Sequence, residues 1–295
     1  MIGEERIGFI GLGNMGKQFV ENLLKKGYTT TVYDISKERV DLLVKEGAKL
    51  GSSVKDVTKK SDIVCISLLN HVMEEVFFGE DGIIEGIHKG QCIIDFGTTS
   101  PKTSQRFFYE AKKRGAYALD APVSGRPDNY LAVMIGGEKE IYEKYLPIIN
   151  AAGGKDVFYM GGPGCGQVGK YVCQLLIYTN RQVACEGYLL GVKFGIDPMI
   201  LYETIQHTLG DSKAWRDCVK AFIKRDLGPK EGGARLSLNV EVAELLTESA
   251  RELKLFTPHA NLTYEILKAT SAEGYDDWQN DAVFLVYEKW SKARK

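Results

Sequence analysis

The chain has 295 residues, of which 44% are hydrophobic and 26% charged, so it is long enough for two globular domains. Its 38 basic and 39 acidic residues give a net charge of −1, which argues against partners such as nucleic acid or an anionic membrane surface. The six cysteines include no C-x-x-C pair and the four histidines form no cluster. We therefore expect free thiols and no metal site.

Two absences in the sequence bear on location. No apolar run reaches the roughly 18 residues that a membrane-spanning helix needs. Residues 1–6 have neither the basic segment nor the apolar segment of a secretory signal. We therefore predict a cytoplasmic protein with no membrane partner.

The N-terminal segment predicts a β-α-β unit. The strand Arg6–Ile10 runs directly into Gly11-Leu12-Gly13-Asn14-Met15-Gly16, which opens an amphipathic helix. A second strand, Thr29–Tyr33, ends at Asp34. A G-x-G-x-x-G run alone is a weak signal, but inside a complete β-α-β unit with an acid after the second strand it predicts a dinucleotide site.

Each glycine of this motif has a physical task. The first permits the tight turn, the second lets a pyrophosphate approach the backbone, and the third lets the helix pack on the strand. The helix N-terminus then faces the phosphates. The cofactor-binding residues predicted in this turn are Gly11, Leu12, Gly13, Asn14 and Met15.

Asp34 indicates which dinucleotide binds. Its carboxylate can accept hydrogen bonds from both hydroxyls of the adenine ribose, whereas its charge would repel a 2′-phosphate. No arginine directly follows it, so we favour NAD as the cofactor, with NADP as the alternative. The competing interpretation is that Asp34 only caps the next helix, residues 37–46.

Further strands extend the sheet. Residues 62–68 and 91–96 are almost unbroken apolar runs separated by a helix, which predicts a mainly parallel sheet covered on both faces. Ligands of such sheets lie at the carboxyl ends of the strands. This rule places Leu68, Leu69, Asn70 and Thr98 around the cofactor.

The chain changes character after the strand Asp156–Met160. A glycine-rich loop at residues 161–169, which would let a ligand approach the backbone, precedes a long helix over residues 170–194, and only helices follow. The fold class is therefore α/β, with an N-terminal Rossmann-type doubly wound sheet (residues 1–163) and an all-α C-terminal domain (residues 164–295). One apolar stripe of the long helix is predicted to be buried: Val168, Tyr171, Val172, Leu175, Leu176, Thr179 and Val183.

Four blocks of the sequence together resemble the β-hydroxyacid dehydrogenase family, typified by 3-hydroxyisobutyrate dehydrogenase. They are Gly11–Gly16, Gly97-Thr98-Thr99-Ser100-Pro101, Asp120-Ala121-Pro122-Val123-Ser124-Gly125, and the glycine loop leading to Lys170. The resemblance implies hydride exchange between a nicotinamide cofactor and a small acidic substrate, a 3-hydroxy acid. It also implies a helical domain that supports a homodimer or homotetramer.

The resemblance also assigns roles to residues. Lys170 would be the catalytic lysine, Ser124 and Gly125 would bind the acid group of the substrate, and Thr98 would lie near the nicotinamide. The chemistry agrees, because a protonated lysine can donate a proton to a carbonyl oxygen as hydride arrives at the carbon. In the oxidising direction the same amine takes the hydroxyl proton.

Three positions depart from the family pattern. Gln174, one helical turn after Lys170, replaces the usual Asn and is retained as a substrate-binding residue. Arg126 follows Ser124-Gly125 in a shortened loop, either as a solvated residue or as a bidentate clamp for a carboxylate, sulfonate or phosphate. The family closes over the cofactor with a Lys-Asp pair, and Glu241 stands where that pair has its lysine, so a carboxylate replaces a cation.

These departures keep two alternatives open. One is a related reductase that acts on an imine or another atypical substrate, as the changes at Gln174 and Glu241 suggest. The other is a catalytically silent NAD(P)-binding protein, which the presence of Lys170 disfavours. A hydrolase is also disfavoured, because Ser124 lies outside any G-x-S-x-G motif.

Overall fold

The structure is a computed structural model that describes residues 5–125, 130–229 and 235–292. The chain divides into two compact units, residues 1–170 and 171–295. The division falls within a single long helix. The first unit contains the sheet, and the second is built from helices.

Nine strands of the first unit form one sheet within the described residues. In chain order they are β1 (Ile7–Ile10), β2 (Thr30–Tyr33), β3 (Lys49–Leu50), β4 (Ile63–Ile66), β5 (Cys92–Asp95), β6 (Tyr117–Asp120), β7 (Val123–Gly125), β8 (Leu131–Gly136) and β9 (Asp156–Gly161). The spatial order is β3-β2-β1-β4-β5-β6-β8-β7, and β9 pairs with β8. Strands β1 to β6 run parallel to one another, and β8 is antiparallel to β6 and β7. Because β1 and β4 are adjacent at the centre, the carboxyl ends of β1, β4 and β5 meet at one edge of the sheet.

Within the described residues, seven α-helices begin in the first unit. They are α1 (Asn14–Lys25), α2 (Lys37–Lys45), α3 (Val54–Lys60), α4 (Asn70–Phe78), α5 (Pro101–Lys113), α6 (Lys139–Ala152) and α7 (Cys165–Phe194), the last of which continues into the second unit. The helices α8 (Pro198–Ile205), α9 (Lys220–Lys224), α10 (Leu236–Glu252), α11 (Pro258–Ala272) and α12 (Val283–Trp290) complete the second unit. The predicted fold class is confirmed.

Alternating side chains give the sheet an apolar layer on each face. Ile7 and Phe9 of β1 pack on one face with Phe19 of α1, whereas Ile10 packs on the other face with Phe77 of α4. The same alternation separates neighbouring residues of β4 and β5. A central strand that is apolar at every position therefore serves two cores, as expected of a parallel sheet with helices on both faces.

The helical unit has a core of its own. Phe222 and Phe284 stack with ring centroids 4.2 Å apart, and Tyr188 contacts both rings. Trp215 closes this core and donates its indole N–H to the Tyr202 carbonyl. A separate core in each unit agrees with the division of the chain into two units.

The prediction for the buried face of α7 was wrong in part. Val172, Leu176 and Val183 are 56%, 57% and 59% exposed, and Val168 is also exposed. The face that enters the helical core carries Tyr171, as predicted, together with Tyr178 and Tyr188, and Leu175 packs against this core. The exposed aliphatic residues and the buried tyrosines both recur at helical spacing. The tyrosines can be buried because a buried hydroxyl can find a partner, as Tyr178 does in Asn239.

Several elements were not predicted. Helix α3 is short and has few apolar residues, and α6 contains Pro147, which usually ends a helix. The short strands β3 and β7 also escaped detection, and α7 begins at Cys165 rather than at Lys170. The predicted helix thus leaves out the first turn of α7, and this turn matters for function because it makes the polar contacts described below.

All six cysteines are free, and four of them are buried. No group of three or more metal-ligating side chains occurs among the described residues. None of the helices in the described part of the chain is long and apolar enough to cross a membrane.

Candidate active site

The glycine turn after β1 has the geometry that a dinucleotide site requires. Gly11 has φ +91°, and a Cβ there would lie 2.5 Å from the Ser67 carbonyl oxygen. A Cβ on Gly16 would collide with the Gly11 carbonyl. A Cβ on Gly13 would have no atom within 4 Å, so the backbone there faces open space. The first and third glycines thus close the turn, and the second leaves an approach for a ligand.

Helix α1 begins at this open position. Its N-cap is Gly13, and no described side chain caps its first turn, which also lacks acidic residues. Asn14 is exposed, while Met15 packs against the core of the sheet. The first N–H groups of the helix, together with its dipole, therefore favour an anion such as a pyrophosphate. These residues fit a dinucleotide cofactor.

Asp34 holds the turn together. Its Oδ2 accepts a hydrogen bond from the Leu12 N–H at 2.7 Å, and its Oδ1 accepts one from the Ser36 N–H at 2.8 Å. The carboxylate thus bridges the ends of β1 and β2 and orders the entry to α2. Each oxygen has a further lone pair with which it can accept a ribose hydroxyl. Although no arginine follows Asp34 directly, Arg39 reaches it, with Nη1 3.7 Å from Oδ2.

The loops after β4 and β5 meet beside this turn. Asn70 starts α4, and its Oδ1 accepts a hydrogen bond from the Ser100 N–H at 3.1 Å. Leu68 and Thr98 are half-buried, and Leu69 is exposed. A Cβ on Gly97 would lie 2.6 Å from the Leu68 carbonyl oxygen, so the two loops are in close contact. The structure therefore brings Leu68, Leu69, Asn70 and Thr98 to one edge of the sheet.

Two buried aspartates at this edge were not predicted as site residues. Asp95 ends β5 and accepts hydrogen bonds from the Gly97 N–H at 2.8 Å and the Thr99 hydroxyl at 3.0 Å. Asp120 ends β6 and accepts hydrogen bonds from the N–H groups of Gly164 and Gln167 at 2.8 and 3.0 Å. The sequence signal was available, since both acids follow apolar strands as Asp34 does.

Burial sets the charge of these two groups. Burial raises the pKa of Asp95 to about 7, against the opposing effect of the hydrogen bonds from Gly97 and Thr99. Burial also raises the pKa of Asp120, and the two carboxyl groups face each other across paired strands. Asp95 thus changes charge near neutral pH.

The start of α7 packs on the sheet through glycines. A Cβ on Gly166 would collide with the Met134 carbonyl of β8, and a Cβ on Gly169 would lie 2.9 Å from the Met160 side chain. These two glycines therefore allow close packing of the helix on the sheet. The loop has one open position at Gly162, where a Cβ would meet nothing within 4 Å.

Lys170 lies on α7 one residue after Gly169 and is only 8% exposed. A lysine at such a position is solvated in most helices, so its burial separates it from an ordinary surface residue. Gln167, one turn earlier, is fully buried and was missed by the sequence analysis.

Ser124 and Gly125 form most of β7. Ser124 is half-buried and pairs with Ala132 of β8, and Gly125 has φ +110° and leaves no room for a side chain next to the Tyr130 carbonyl. Arg126 lies outside the described residues.

The remaining predicted residues belong to the helical unit. Gln174 donates a hydrogen bond from Nε2 to the Tyr178 hydroxyl at 2.7 Å, and Tyr178 donates to Asn239 Oδ1 at 2.9 Å. Glu241 is half-buried on α10. Tyr178 and Asn239 were not predicted, and the sequence offers no pattern that would have singled them out.

Comparison with known proteins identifies the family. The model of the NAD binding domain of 6-phosphogluconate dehydrogenase matches residues 6–161, just over half of the chain. The model described as NAD-binding of NADP-dependent 3-hydroxyisobutyrate dehydrogenase matches residues 164–287. The chain belongs to the β-hydroxyacid dehydrogenase family.

Relatives of this β-hydroxyacid dehydrogenase match it over nearly their full length. The 2-(hydroxymethyl)glutarate dehydrogenase of Eubacterium barkeri is 32% identical over 96% of this chain and 95% of its own. The NAD-dependent L-serine dehydrogenase of Pseudomonas aeruginosa is 32% identical over 92% of this chain and 94% of its own.

Solved structures share the fold at lower identity. The 3-hydroxyisobutyrate dehydrogenase of Mycobacterium tuberculosis with L-serine has a TM-score of 0.87 at 21% identity, covering 96% of this chain and 98% of that chain. A variant imine reductase of Myxococcus stipitatus with NAD+ has a TM-score of 0.66 at 20% identity, covering 96% of this chain and 99% of that chain. The same architecture therefore occurs in proteins with both chemistries that the sequence analysis considered, and it does not by itself choose between them.

Gly13 provides a test of the cofactor site in this β-hydroxyacid dehydrogenase. Its backbone, with φ −64° and ψ −172°, accepts any residue. Gly13→Ala should therefore leave the free energy of unfolding unchanged within about 0.5 kcal/mol. Its methyl group would occupy the approach of the pyrophosphate, so NADH should bind at least about tenfold more weakly, or about 1.4 kcal/mol. Fluorescence titration measures the affinity and urea unfolding the stability.

The matched control is Gly228→Ala, which also places a methyl group in open space but lies in the helical unit. It should change neither quantity. Unaltered NADH affinity in Gly13→Ala would contradict the assignment of the turn.

Asp95 should give the protein a measurable pH dependence of stability. Because its pKa is raised in the folded state, the folded protein retains a proton that the unfolded chain has lost between about pH 4 and pH 7. Its contribution to stability is therefore fully present below about pH 4 and is lost as the pH rises through about 7. As the pH rises across that window, the free energy of unfolding of Asp95→Asn should increase relative to that of the parent, by an amount on the order of 4 kcal/mol.

Urea unfolding at pH 4.5, 6 and 7.5 checks this expectation. Asp62→Asn is the control with the opposite sign, because the Arg6 guanidinium lowers the pKa of Asp62. A stability difference between Asp95→Asn and the parent that is independent of pH would show that Asp95 is ionised throughout.

Proposed function

We propose that this chain exchanges a hydride between NAD and a small 3-hydroxy acid, or its semialdehyde or keto form, with Lys170 as the general acid and base. One observation carries the assignment of Lys170. The lysine is buried one turn after Gln167, whose side-chain amide bonds to both residues that flank Thr98. Thr98 follows β5 at the edge where the glycine turn follows β1, so the proton-transfer group lies on an element tied directly to the proposed cofactor site.

The proposed chemistry uses the chain's own groups as follows. NAD, when bound at the glycine turn, accepts or supplies the hydride. In reduction, Lys170 donates a proton to the carbonyl oxygen as negative charge develops there, and in oxidation it accepts the proton of the hydroxyl. Ser124 and Gly125 would hold the acid group of the substrate, with Gln174 as a further contact. Arg126, outside the described residues, is proposed as an additional anion contact.

NAD remains the favoured cofactor within this proposal. The Asp34 carboxylate can accept the ribose hydroxyls, and it lies beside the open glycine turn. The P. aeruginosa relative is named as an NAD-dependent enzyme, which supports the preference. Arg39, within 3.7 Å of Asp34, is a cation that NADP could use, so NADP is kept as the second cofactor. Glu241 is proposed as a further cofactor contact from the helical unit.

The relatives support an alcohol substrate over an imine. Two relatives at 32% identity are named for the oxidation of L-serine and of 2-(hydroxymethyl)glutarate, both of which carry a hydroxymethyl group next to the carbon bearing an acid group. The imine reductase of M. stipitatus described above, at 20% identity, shares the fold and gives no support beyond it. We therefore retain residues 1–163 as the cofactor domain and residues 164–295 as the substrate and oligomerisation domain of a hydroxy acid dehydrogenase.

A substrate screen tests the function. The panel comprises L-serine, 3-hydroxyisobutyrate, 2-(hydroxymethyl)glutarate, a 3-hydroxy sulfonate, semialdehydes and cyclic imines, each with NAD(H) and NADP(H). We expect turnover of at least one 3-hydroxy acid, fastest with NAD. Turnover of cyclic imines alone would contradict the proposal.

Lys170→Ala tests the mechanism in the same assay. Loss of general acid and base catalysis should lower kcat by about 10²- to 10⁴-fold, whereas NADH binding measured by fluorescence should be nearly unchanged. Lys193→Ala is the matched control, since Lys193 lies on the same helix and donates to the Ser291 carbonyl at the surface. Undiminished turnover in Lys170→Ala would remove Lys170 from the mechanism.

We further propose that the protein is a homodimer or homotetramer that associates through α7. Its exposed side chains Val172, Leu176, Val183, Leu190 and Phe194 lie at spacings of four and seven residues, as an apolar stripe along one side of a helix requires. A solvent-facing stripe of this kind is typical of an interface between proteins.

The free state of all six cysteines agrees with the proposed cytoplasmic location.

Leu176→Glu should disrupt this association, because it places a charge in an apolar interface. Light scattering should report the mass of a monomer for the variant and a multiple of it for the parent. Leu209→Glu, at a fully exposed position off the stripe, is the control and should leave the mass unchanged. A parent protein that is monomeric would overturn the proposal.

A further inference from the structure

One buried side chain connects the two elements on which the proposed reaction depends. Gln167 Oε1 accepts a hydrogen bond from the Thr99 N–H at 3.0 Å, and its Nε2 donates one to the Gly97 carbonyl at 3.0 Å. The two atoms of a single amide thus pair with the peptide groups on either side of Thr98. The arrangement is that of a β-bridge in which a side chain takes the place of the neighbouring strand.

The remaining contacts fix both ends of this connection. Asp95 accepts the Gly97 N–H and the Thr99 hydroxyl, so it holds the Thr98 segment from the sheet side. Asp120 accepts the N–H groups of Gly164 and Gln167, so it holds the first turn of α7. Because β5 and β6 are paired with Asp95 opposite Asp120, both acids stand on one rigid support. Gln167 joins the two segments that they hold.

We propose that Gln167 is a positioning residue that sets the distance between Thr98, at the nicotinamide site, and Lys170, the proton-transfer group. This inference rests on the proposed function. Gln167 does not touch the reacting atoms, but it lies one turn before Lys170 on the same helix. Hydride and proton must reach the carbon and the oxygen of one carbonyl group together. A shift of about 1 Å between the two elements can therefore cost on the order of 100-fold in rate.

A glutamine is suited to this task because it pairs with a donor and an acceptor at once. Replacement by methionine keeps the length of the side chain but removes both the donor to the Gly97 carbonyl and the acceptor for the Thr99 N–H. A glutamate keeps the shape and, when protonated, also the donor. When ionised it presents a second acceptor to the Gly97 carbonyl, beside the carboxyl groups of Asp95 and Asp120 and one turn before Lys170.

The first experiment needs no turnover. Hydrogen exchange of the full-length protein without cofactor, followed by mass spectrometry, should show faster exchange in peptides that contain Thr99 for Gln167→Met. The matched control is Gln182→Met, another buried glutamine of α7, which donates to the Thr263 carbonyl in the helical unit. It should leave these peptides unchanged. Equal protection of the Thr99 peptides in Gln167→Met and the parent would overturn the inference.

The second experiment measures the chemical step with the fastest 3-hydroxy acid of the panel, unlabelled and deuterated at the carbon that loses hydride. Gln167→Met should lower kcat by about 10- to 100-fold. The primary isotope effect on kcat should increase, because hydride transfer becomes rate-limiting. A purely structural role would lower the folded fraction and leave the isotope effect of the remaining enzyme as in the parent, which would count against positioning.

Gln167→Glu supplies a variant that retains the shape of the side chain. Its kcat relative to the parent should rise as the pH falls and the introduced carboxylate takes up the missing proton. A ratio that does not vary with pH would contradict the requirement for a donor to the Gly97 carbonyl.

The double variant separates this inference from the proposed function. If Gln167 acts by positioning Lys170, Gln167→Met should cost much less in the Lys170→Ala background than in the parent. Full additivity would overturn the positioning role alone. If Lys170→Ala itself has no effect on turnover, the proposed function fails, and the exchange measurement still decides whether Gln167 holds the Thr98 segment.

Discussion

The site depends on aspartates that stand where parallel strands end. A backbone that leaves a sheet edge exposes N–H groups that need acceptors, and a carboxylate provides them at short range. Asp34, Asp95 and Asp120 all do this, at the ends of β2, β5 and β6. Each of them orders one loop of the candidate active site. The same chemical device therefore shapes the proposed cofactor site, the Thr98 segment and the start of α7.

The three acids differ in their position relative to the glycine turn, and this difference divides their tasks. Only 5% of the Asp34 side chain is exposed, but its carboxylate bonds to the glycine turn itself, next to the open position at Gly13 where a ligand can approach. Asp95 and Asp120 are buried, and burial raises the pKa of each, so their ionised forms are stable only because backbone donors face them. A buried acid of this kind costs desolvation energy, but it fixes a loop more firmly than a solvated one could. Rigid placement of this sort is what hydride transfer requires.

The sequence was sufficient for the fold and for the glycine turn, because both depend on local patterns. Gly11, Gly13 and Gly16 could be assigned separate tasks since each follows from backbone geometry, and the structure agrees. Gln167 could not be assigned in the same way. Its role depends on segments that pack together although they are 68 to 70 residues apart in the chain, and no periodicity encodes that distance. The acids after strands were visible in the sequence, but only the hydrogen bonds of the folded chain show which loop each of them holds.

Helix α7 shows a second limit of sequence patterns. Its aliphatic and tyrosine stripes have equivalent spacing, and the core of the single chain takes the tyrosines. Hydrophobicity favours the aliphatic stripe for burial, so its exposure makes sense if a second copy covers it. A helix with two apolar stripes can serve the fold with one and an interface with the other. The prediction failed for the aliphatic residues because it asked which face is buried within one chain, whereas in the proposed assembly the composition of the helix reflects two surfaces.

The placement of the polar residues suggests how substrate choice can change in such a protein without loss of catalysis. The contacts of Gln167, Asp95 and Asp120 all lie within the first unit and hold only backbone groups and one threonine. Gln174 and Glu241, which depart from the family pattern, belong to the second unit, where Gln174 bonds to Tyr178. On the proposed assignment, the geometry of hydride and proton transfer is thus fixed by one set of residues and substrate recognition draws on another. Substitutions at Gln174 can then alter the accepted acid while the placement of Lys170 is maintained by Gln167.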